Sequence, residues 1–265
     1  MRRVMLLAIV GALGVAGVAY AAVNNTYVVN AKITPIKSGT KKSPRPISTT
    51  IGWTVGTSPA GQRPAVVKGY RVTVSGVQEH TTLFPGCSTS TLTSKSPSAC
   101  PKRSKIGSGY LINQVGSSKS SSTTGNFTCR AEVSLFNGGN HDLVLYVYKG
   151  SQVSAQPAPC PVPNGHFAIP VSLTRIGGGL RQSFTVPASG MHPVAGFDAA
   201  LLKSMLIVPV HTTTVTRKVH GKRIKHKVGL FESTACPHNH ERQVLVTFTP
   251  EQGAPRSATA NTRCS

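Results

Sequence analysis

Apolar and polar residues alternate along much of this chain. Tyr70, Val72 and Val74 are separated by Arg71 and Thr73. Phe127, Cys129, Ala131, Val133 and Leu135 alternate with Thr128, Arg130, Glu132 and Ser134. Phe167, Ile169, Val171 and Leu173 form a third such run, and Val244, Val246 and Phe248 a fourth. Successive side chains of a strand point to opposite faces, so each run predicts a strand with one face on a core and the other toward water. Leu143–Tyr148 is apolar at every position and predicts a central strand covered on both sides.

Turn chemistry separates these runs. Asn137-Gly138-Gly139-Asn140 lies between two strand patterns and predicts a β-hairpin. Ser117–Thr124 reads as a polar loop, and Gly177-Gly178-Gly179 as a break. A first strand is expected over Thr26–Ile33, followed by a basic loop over Lys37–Pro46. Asp198–Leu206 fits two readings, a short helix capped by Asp198 or the entry to a strand running to Val210. Roughly ten to twelve strands at short spacing predict a mainly β, antiparallel, sandwich-like fold with one short helix. No linker forces a boundary, so residues 22–265 are expected to form one domain, with two smaller β-domains as the alternative.

The N-terminus changes the setting. Arg2-Arg3, an uncharged apolar run from Val4 to Val18 and Ala19-Tyr20-Ala21 form the three regions of a secretory signal peptide over 1–21. A retained anchor over Val4–Val23 is the competing reading. Beyond it no segment is long and apolar enough to span a membrane. All six cysteines follow the leader: Cys87, Cys100, Cys129, Cys160, Cys236 and Cys264. An even number in an exported chain implies disulfides, with many connectivities allowed. Sequential pairing is the preferred one. Cys129 lies on the inward face of its strand and Cys160 follows one hairpin later. Cys87 and Cys100 bracket a Ser/Thr-rich loop, and Cys236 and Cys264 bracket the last clear strand.

Charge narrows the partners. The formal charge is +22, or +20 without Arg2 and Arg3, with only 7 acidic residues. Such a field attracts cell-wall polyanions, anionic lipid head groups or nucleic acid, and it also keeps an exported protein soluble.

Five stretches together resemble a group of exported, cysteine-containing, β-rich actinobacterial proteins of uncharacterised function. They are Gly56–Pro64, Phe84–Ser88, Ala99–Gly109, Leu135–Gly138 and Thr234–Pro237 with Cys264. The Cys-Pro-x-x-Ser-x-Ile-Gly-x-Gly element at Cys100–Gly109 is the most distinctive. The resemblance implies export, a sandwich-like body and paired cysteines near its start and end. It implies no reaction and supplies no functional residue.

Catalytic and metal motifs are weak. Seven scattered acids allow a glycosidase pair without marking one, and Glu132 fits an outward strand face. Gly56–Ala60 approaches a nucleophile elbow but lacks its final glycine. Ile106–Gly109 lacks the lysine and helix of a phosphate loop, so its glycines are expected to permit a turn or bulge at a strand start. His238 and His240, on a strand, would share a face and could bind metal with His226, but a loop position is expected. No catalytic residue, metal ligand or cofactor site is assigned.

The sharpest local feature is Thr216–Lys227. A turn at His220-Gly221 would make a hairpin carrying Arg217, Lys218, Lys222, Arg223, Lys225 and Lys227, projecting into water. It suits contact with an anionic polymer or surface. The alternative is a solvated edge whose charges block strand-to-strand aggregation. The hairpin contains no aromatic residue, which argues against base recognition. The expected function is therefore an exported, non-enzymatic module contacting anionic cell-wall polymer or lipid head groups. An extracellular hydrolase acting on a glycan or peptide is the alternative.

Overall fold

A computed structural model describes residues 23–149, 165–219 and 222–265. The expected leader, Cys160 and the His220-Gly221 turn lie outside them. The chain is mainly β. In order the strands are β1 (Asn24–Thr34), β2 (Arg45–Pro46), β3 (Ser48–Ser58), β4 (Val67–Ser75) and β5 (Val77–Glu79). Helix α1 (Thr89–Ser94) precedes β6 (Lys105–Ser117), β7 (Phe127–Gly139), β8 (Asp142–Tyr148), β9 (His166–Ile176) and β10 (Gly179–Thr185). Helix α2 (Ala188–Met191) leads to β11 (Phe197–Val208), β12 (Thr212–Val219) and β13 (Lys222–Gly229). The last strands are β14 (Phe231–Ser233), β15 (Glu241–Pro250) and β16 (Arg256–Arg263).

The sandwich-like body takes the form of one antiparallel sheet rolled until its edges almost meet. Its eleven strands run β1-β3-β11-β6-β7-β8-β9-β10-β4-β15-β16, and β1 lies beside β16. The seam is joined at both ends. Ser38 N–H donates to Ser265 O, and Ser265 N–H donates to Ile36 O. At the other end Arg256 Nη2 donates to Asn24 Oδ1 at 2.8 Å. Between them Tyr27 stacks on Phe248 with ring centroids 3.9 Å apart. Phe248, Val246 and Val244 have no accessible surface, and burying each such side chain stabilises the fold by about 1.5–3 kcal/mol.

The two ends of the barrel are closed differently. One, the plug end, is covered by a second sheet in the order β2-β14-β5. Ile47, Val77, Leu230 and Phe231 are buried there and join the main core. The other, the α2 end, carries the connections Ser58–Val67, Ser117–Phe127, Thr185–Phe197 and Pro250–Arg256.

Leu143–Tyr148 is covered on both sides. Leu143 joins the barrel core, whereas Val144 and Tyr146 pack outside it against Cys87, Leu92 and Cys100. The Cys87–Cys100 disulfide and α1 thus form a patch on the outer wall. Ser88 caps α1 by accepting from Thr91 N–H. Cys236–Cys264 is the second expected bridge. Cys129 is also oxidised, and its expected partner Cys160 is not among the described residues. Bridges of this kind fit an oxidising, extracellular setting.

Several local expectations are met with shifted boundaries. The β7–β8 turn falls at Asn140 and His141, both at positive φ, as a two-residue hairpin of the primed type requires. Gly107 follows a register shift at the start of β6. A Cβ on Gly109 would stand 1.9 Å from Met205 O, so β11 approaches too closely for any side chain there. Asp198 caps no helix, because Asp198–Leu206 lies within β11. The short helix that sequence suggested there is instead α2, just upstream, with α1 as a second.

Candidate functional site

The basic hairpin forms a sheet of its own. Among the described residues β12 and β13 pair only with each other, with Lys218 opposite Arg223 and Thr216 opposite Lys225. Its base is held to the barrel by Arg103 Nη2 donating to Thr212 O at 3.0 Å and His211 Nε2 donating to Ile106 O at 2.8 Å. Beyond that base Arg223, Ile224, Lys225, His226 and Lys227 are all exposed. Alternation along β13 puts Arg223, Lys225 and Lys227 on one face and Ile224 and His226 on the other.

The hairpin stands at the plug end beside other cations. Lys37, Lys41 and Lys42 are exposed in the loop after β1, and Lys95, Lys102, Arg103 and Lys105 are exposed before or at the start of β6. Of the acids at this end, Asp142 and Glu241 are exposed, while Glu79 and Glu232 are almost fully buried.

Those two buried carboxylates hold the plug. Glu79 accepts from Thr81 N–H and Thr81 Oγ1, each at 2.8 Å, and meets His141 Nδ1 at 2.7 Å and Arg175 Nε at 3.4 Å. Burial alone would push its carboxyl up. The Thr81 amide, His141 and the Thr81 hydroxyl outweigh burial and hold it below the ordinary value. Glu232 behaves likewise: burial opposes ionisation, but His80, the Gly229 amide and Gln78 prevail. Arg242 is fully buried nearby and donates through Nη2 to Ser38 Oγ, Ser233 Oγ and Ala235 O. Burial pushes its guanidinium below the ordinary value.

At the α2 end His192 bridges two carboxylates. Its Nδ1 lies 2.9 Å from Asp198 Oδ1 and its Nε2 3.0 Å from Glu251 Oε1. Hydrogen bonding to Glu251 and Asp198 raises its pKa above the usual histidine value. Arg63, 5% exposed, ties the same end together by donating to Ser117 O and Ser120 O.

Inside the barrel, between these ends, lies an apolar cavity of about 130 Å³. Its wall includes Ile51, Trp53, Leu111, Val133, Leu145, Val147, Phe184 and Leu206, and α2 contributes Gly190 and Met191. Several of these inward residues are only partly buried although the sheet wraps them, because they face the void. Two polar atoms on the wall, Trp53 Nε1 and Ser204 Oγ, are buried without a hydrogen-bond partner. Each such orphan costs about 1–3 kcal/mol.

Of the residues singled out from sequence, the hairpin cations fall on one ribbon. The side chains of Arg223, Lys225 and Lys227 are described there, and Arg217, Lys218 and Lys222 occupy its strand positions. His238 and His240 lie in the turn before β15, with His240 at positive φ, so they do not share a strand face. Glu132 is on the outer wall, where it pairs with Arg130 at 2.8 Å. Sequence reasoning passed over Glu79, Glu232, His192 and the cavity, all assembled by contacts distant along the chain. No family model matches the chain, and no curated protein or solved structure shows significant similarity to it.

Proposed function

We propose that this is an exported, non-enzymatic binding module that contacts an anionic polymer or the lipid head groups of the cell envelope through the β12–β13 ribbon. One observation carries the reading: among the described residues the ribbon pairs with no strand of the barrel and holds Arg223, Lys225 and Lys227 exposed on one face. A ribbon outside the sheet adds nothing to barrel closure, and its like charges repel one another. An anionic partner turns that repulsion into attraction. Neighbouring lysines around β2 and before β6 widen the basic surface at the same end.

The test compares the protein with a variant in which Arg217, Lys218, Lys222, Arg223, Lys225 and Lys227 become Gln. Binding to phosphatidylglycerol vesicles and to poly(glycerol phosphate) is measured across a salt series. Each cation near an anionic bilayer contributes about 1 kcal/mol, so the variant should bind vesicles at least about 100-fold more weakly. Its log–log salt slope on the polymer should be shallower by several units. Equal binding by the two proteins would remove the ribbon from any role in recognition.

A further inference from the structure

We infer that the barrel interior is a binding site for a small, compact apolar molecule carrying one oxygen acceptor, held between Ser204 and Trp53. The inference is independent of the ribbon, which lies at the plug end and contributes nothing to the cavity wall.

Three observations converge on it. The first is size and lining. The cavity measures about 130 Å³, close to the ~150 Å³ of an apolar cavity that takes up benzene. Its wall is drawn from β3, β4 and the strands β6 to β11, and from α2.

The second is the pair of orphaned polar atoms. Ser204 is 6% exposed, and its Oγ has no partner. Trp53 Nε1 is likewise buried and unpartnered. These residues stand directly opposite each other on β11 and β3. An indole N–H only donates, and a hydroxyl can donate, so facing positions on β3 and β11 each carry an unpartnered donor on a wall residue of the cavity. An oxygen acceptor that reaches either donor relieves the cost of leaving it unpaired.

The third is how Ser204 comes to face inward. Along β11, Ala199 and Leu201 line the cavity, and strict alternation would send position 204 outward. The register shifts between Leu201 and Lys203, and this irregularity switches parity so that Ser204 and Leu206 line the cavity instead. Bulges that re-aim one side chain are common beside functional sites. A bulge serving only packing would have no reason to bring a hydroxyl into an apolar core.

The probes are cyclohexanone and methylenecyclohexane, which share a shape and differ in the oxygen. Binding to the oxidised protein is followed by calorimetry and by the indole N–H resonance. Trp53 is the only tryptophan of the chain, so that resonance is unambiguous. Both probes should bind, the ketone about 5–10-fold more tightly, the margin expected of one net hydrogen bond. Only the ketone should shift the indole proton downfield. Ser204→Ala should remove most of the ketone's advantage and leave the hydrocarbon unchanged. Val133→Phe fills the cavity from β7 and should abolish both. Ala199→Leu does the same from β11 should the first variant not fold. Absence of binding by either probe at millimolar concentration would overturn the site. Equal binding of the two, unmoved by Ser204→Ala, would overturn the oxygen acceptor. Undiminished binding in the filled variant would place the site elsewhere.

Discussion

At the plug end the barrel is closed by three short strands, two buried carboxylates and the Cys236–Cys264 bridge. Among the described residues, the α2 end is closed by one turn of helix, connecting loops, the buried Arg63 and a partly exposed histidine. Among the described residues the same wall therefore has one mouth braced by a second sheet and a disulfide and one held by α2 and neighbouring loops. The difference accords with the two sites. A charged ribbon that docks on a surface needs a rigid base, and Arg103 and His211 tie it to the braced end. A cavity that exchanges a ligand needs an end that can open at low cost, and α2 forms part of its wall. Segments with few buried contacts are those that open first.

The sharpest way to break this comparison is to unbrace the plug. Glu79→Ala leaves His141 and Arg175 without their carboxylate and Thr81 N–H without its acceptor. Thr81 N–H and Oγ1 are left buried without that acceptor, each at a cost of about 1–3 kcal/mol, while His141 and Arg175 are more than half exposed and add little. Hydrogen exchange should rise most at β5 and β14, and less around Trp53. An even rise over the whole barrel would show that the two ends are one cooperative unit. The unaltered plug should also be acid-labile. The carboxyl is held below its ordinary value, so its contribution is present above about pH 4.5 and is lost as pH falls through the lowered value.

The sequence foretold strand content far better than closure. Alternation at Tyr70–Val74 and Val244–Phe248 located inner faces directly, and the unbroken run Leu143–Tyr148 foretold two covers. Whether a rolled sheet closes depends on Tyr27 meeting Phe248 and on Ile36 and Ser38 bonding Ser265, contacts that leave no local pattern. Asp198–Leu206 resisted assignment for a physical reason. The shifted register puts Leu201 and Ser204 on the same side three residues apart, which imitates a helical period. The ribbon was legible because its six cations fall within the stretch 217–227. The Glu79 and Glu232 networks were not, since an acid in a strand looks solvated until its partners arrive from His141 and His80.

The next effect in size tests the C-terminal brace. Changing Cys236 and Cys264 to Ser releases a loop spanning a sequence separation of 28, for which chain entropy predicts a loss of about 3–4 kcal/mol. Cys264 N–H donates to His240 O beside it, so the β15–β16 edge should fray from the plug end. Chemical denaturation should show a lower midpoint. Cyclohexanone affinity measured well below that midpoint should be unchanged. A parallel loss of affinity would mean that the cavity depends on the plug after all.

The smallest effect is the most specific to the α2 end. His192→Gln removes the cation that bonds Glu251 and Asp198, next to α2. Arg63 also faces Asp198, at 3.6 Å, and Lys119 lines the same cleft, so part of the positive field survives. His192 is 37% exposed, and solvent screening limits such a pair to about 1 kcal/mol or less. The sign is fixed by the raised pKa. Stability from this bridge is complete below about pH 6.5 and fades as pH climbs through the raised value. The melting temperatures of the protein and the variant should thus differ by no more than about 4 °C in mild acid and converge in alkali. If the bridge latches α2 over the cavity, ketone exchange should be faster in the variant at low pH and equal in the two at high pH. A difference independent of pH would mean that His192 acts by packing, with its proton playing no part.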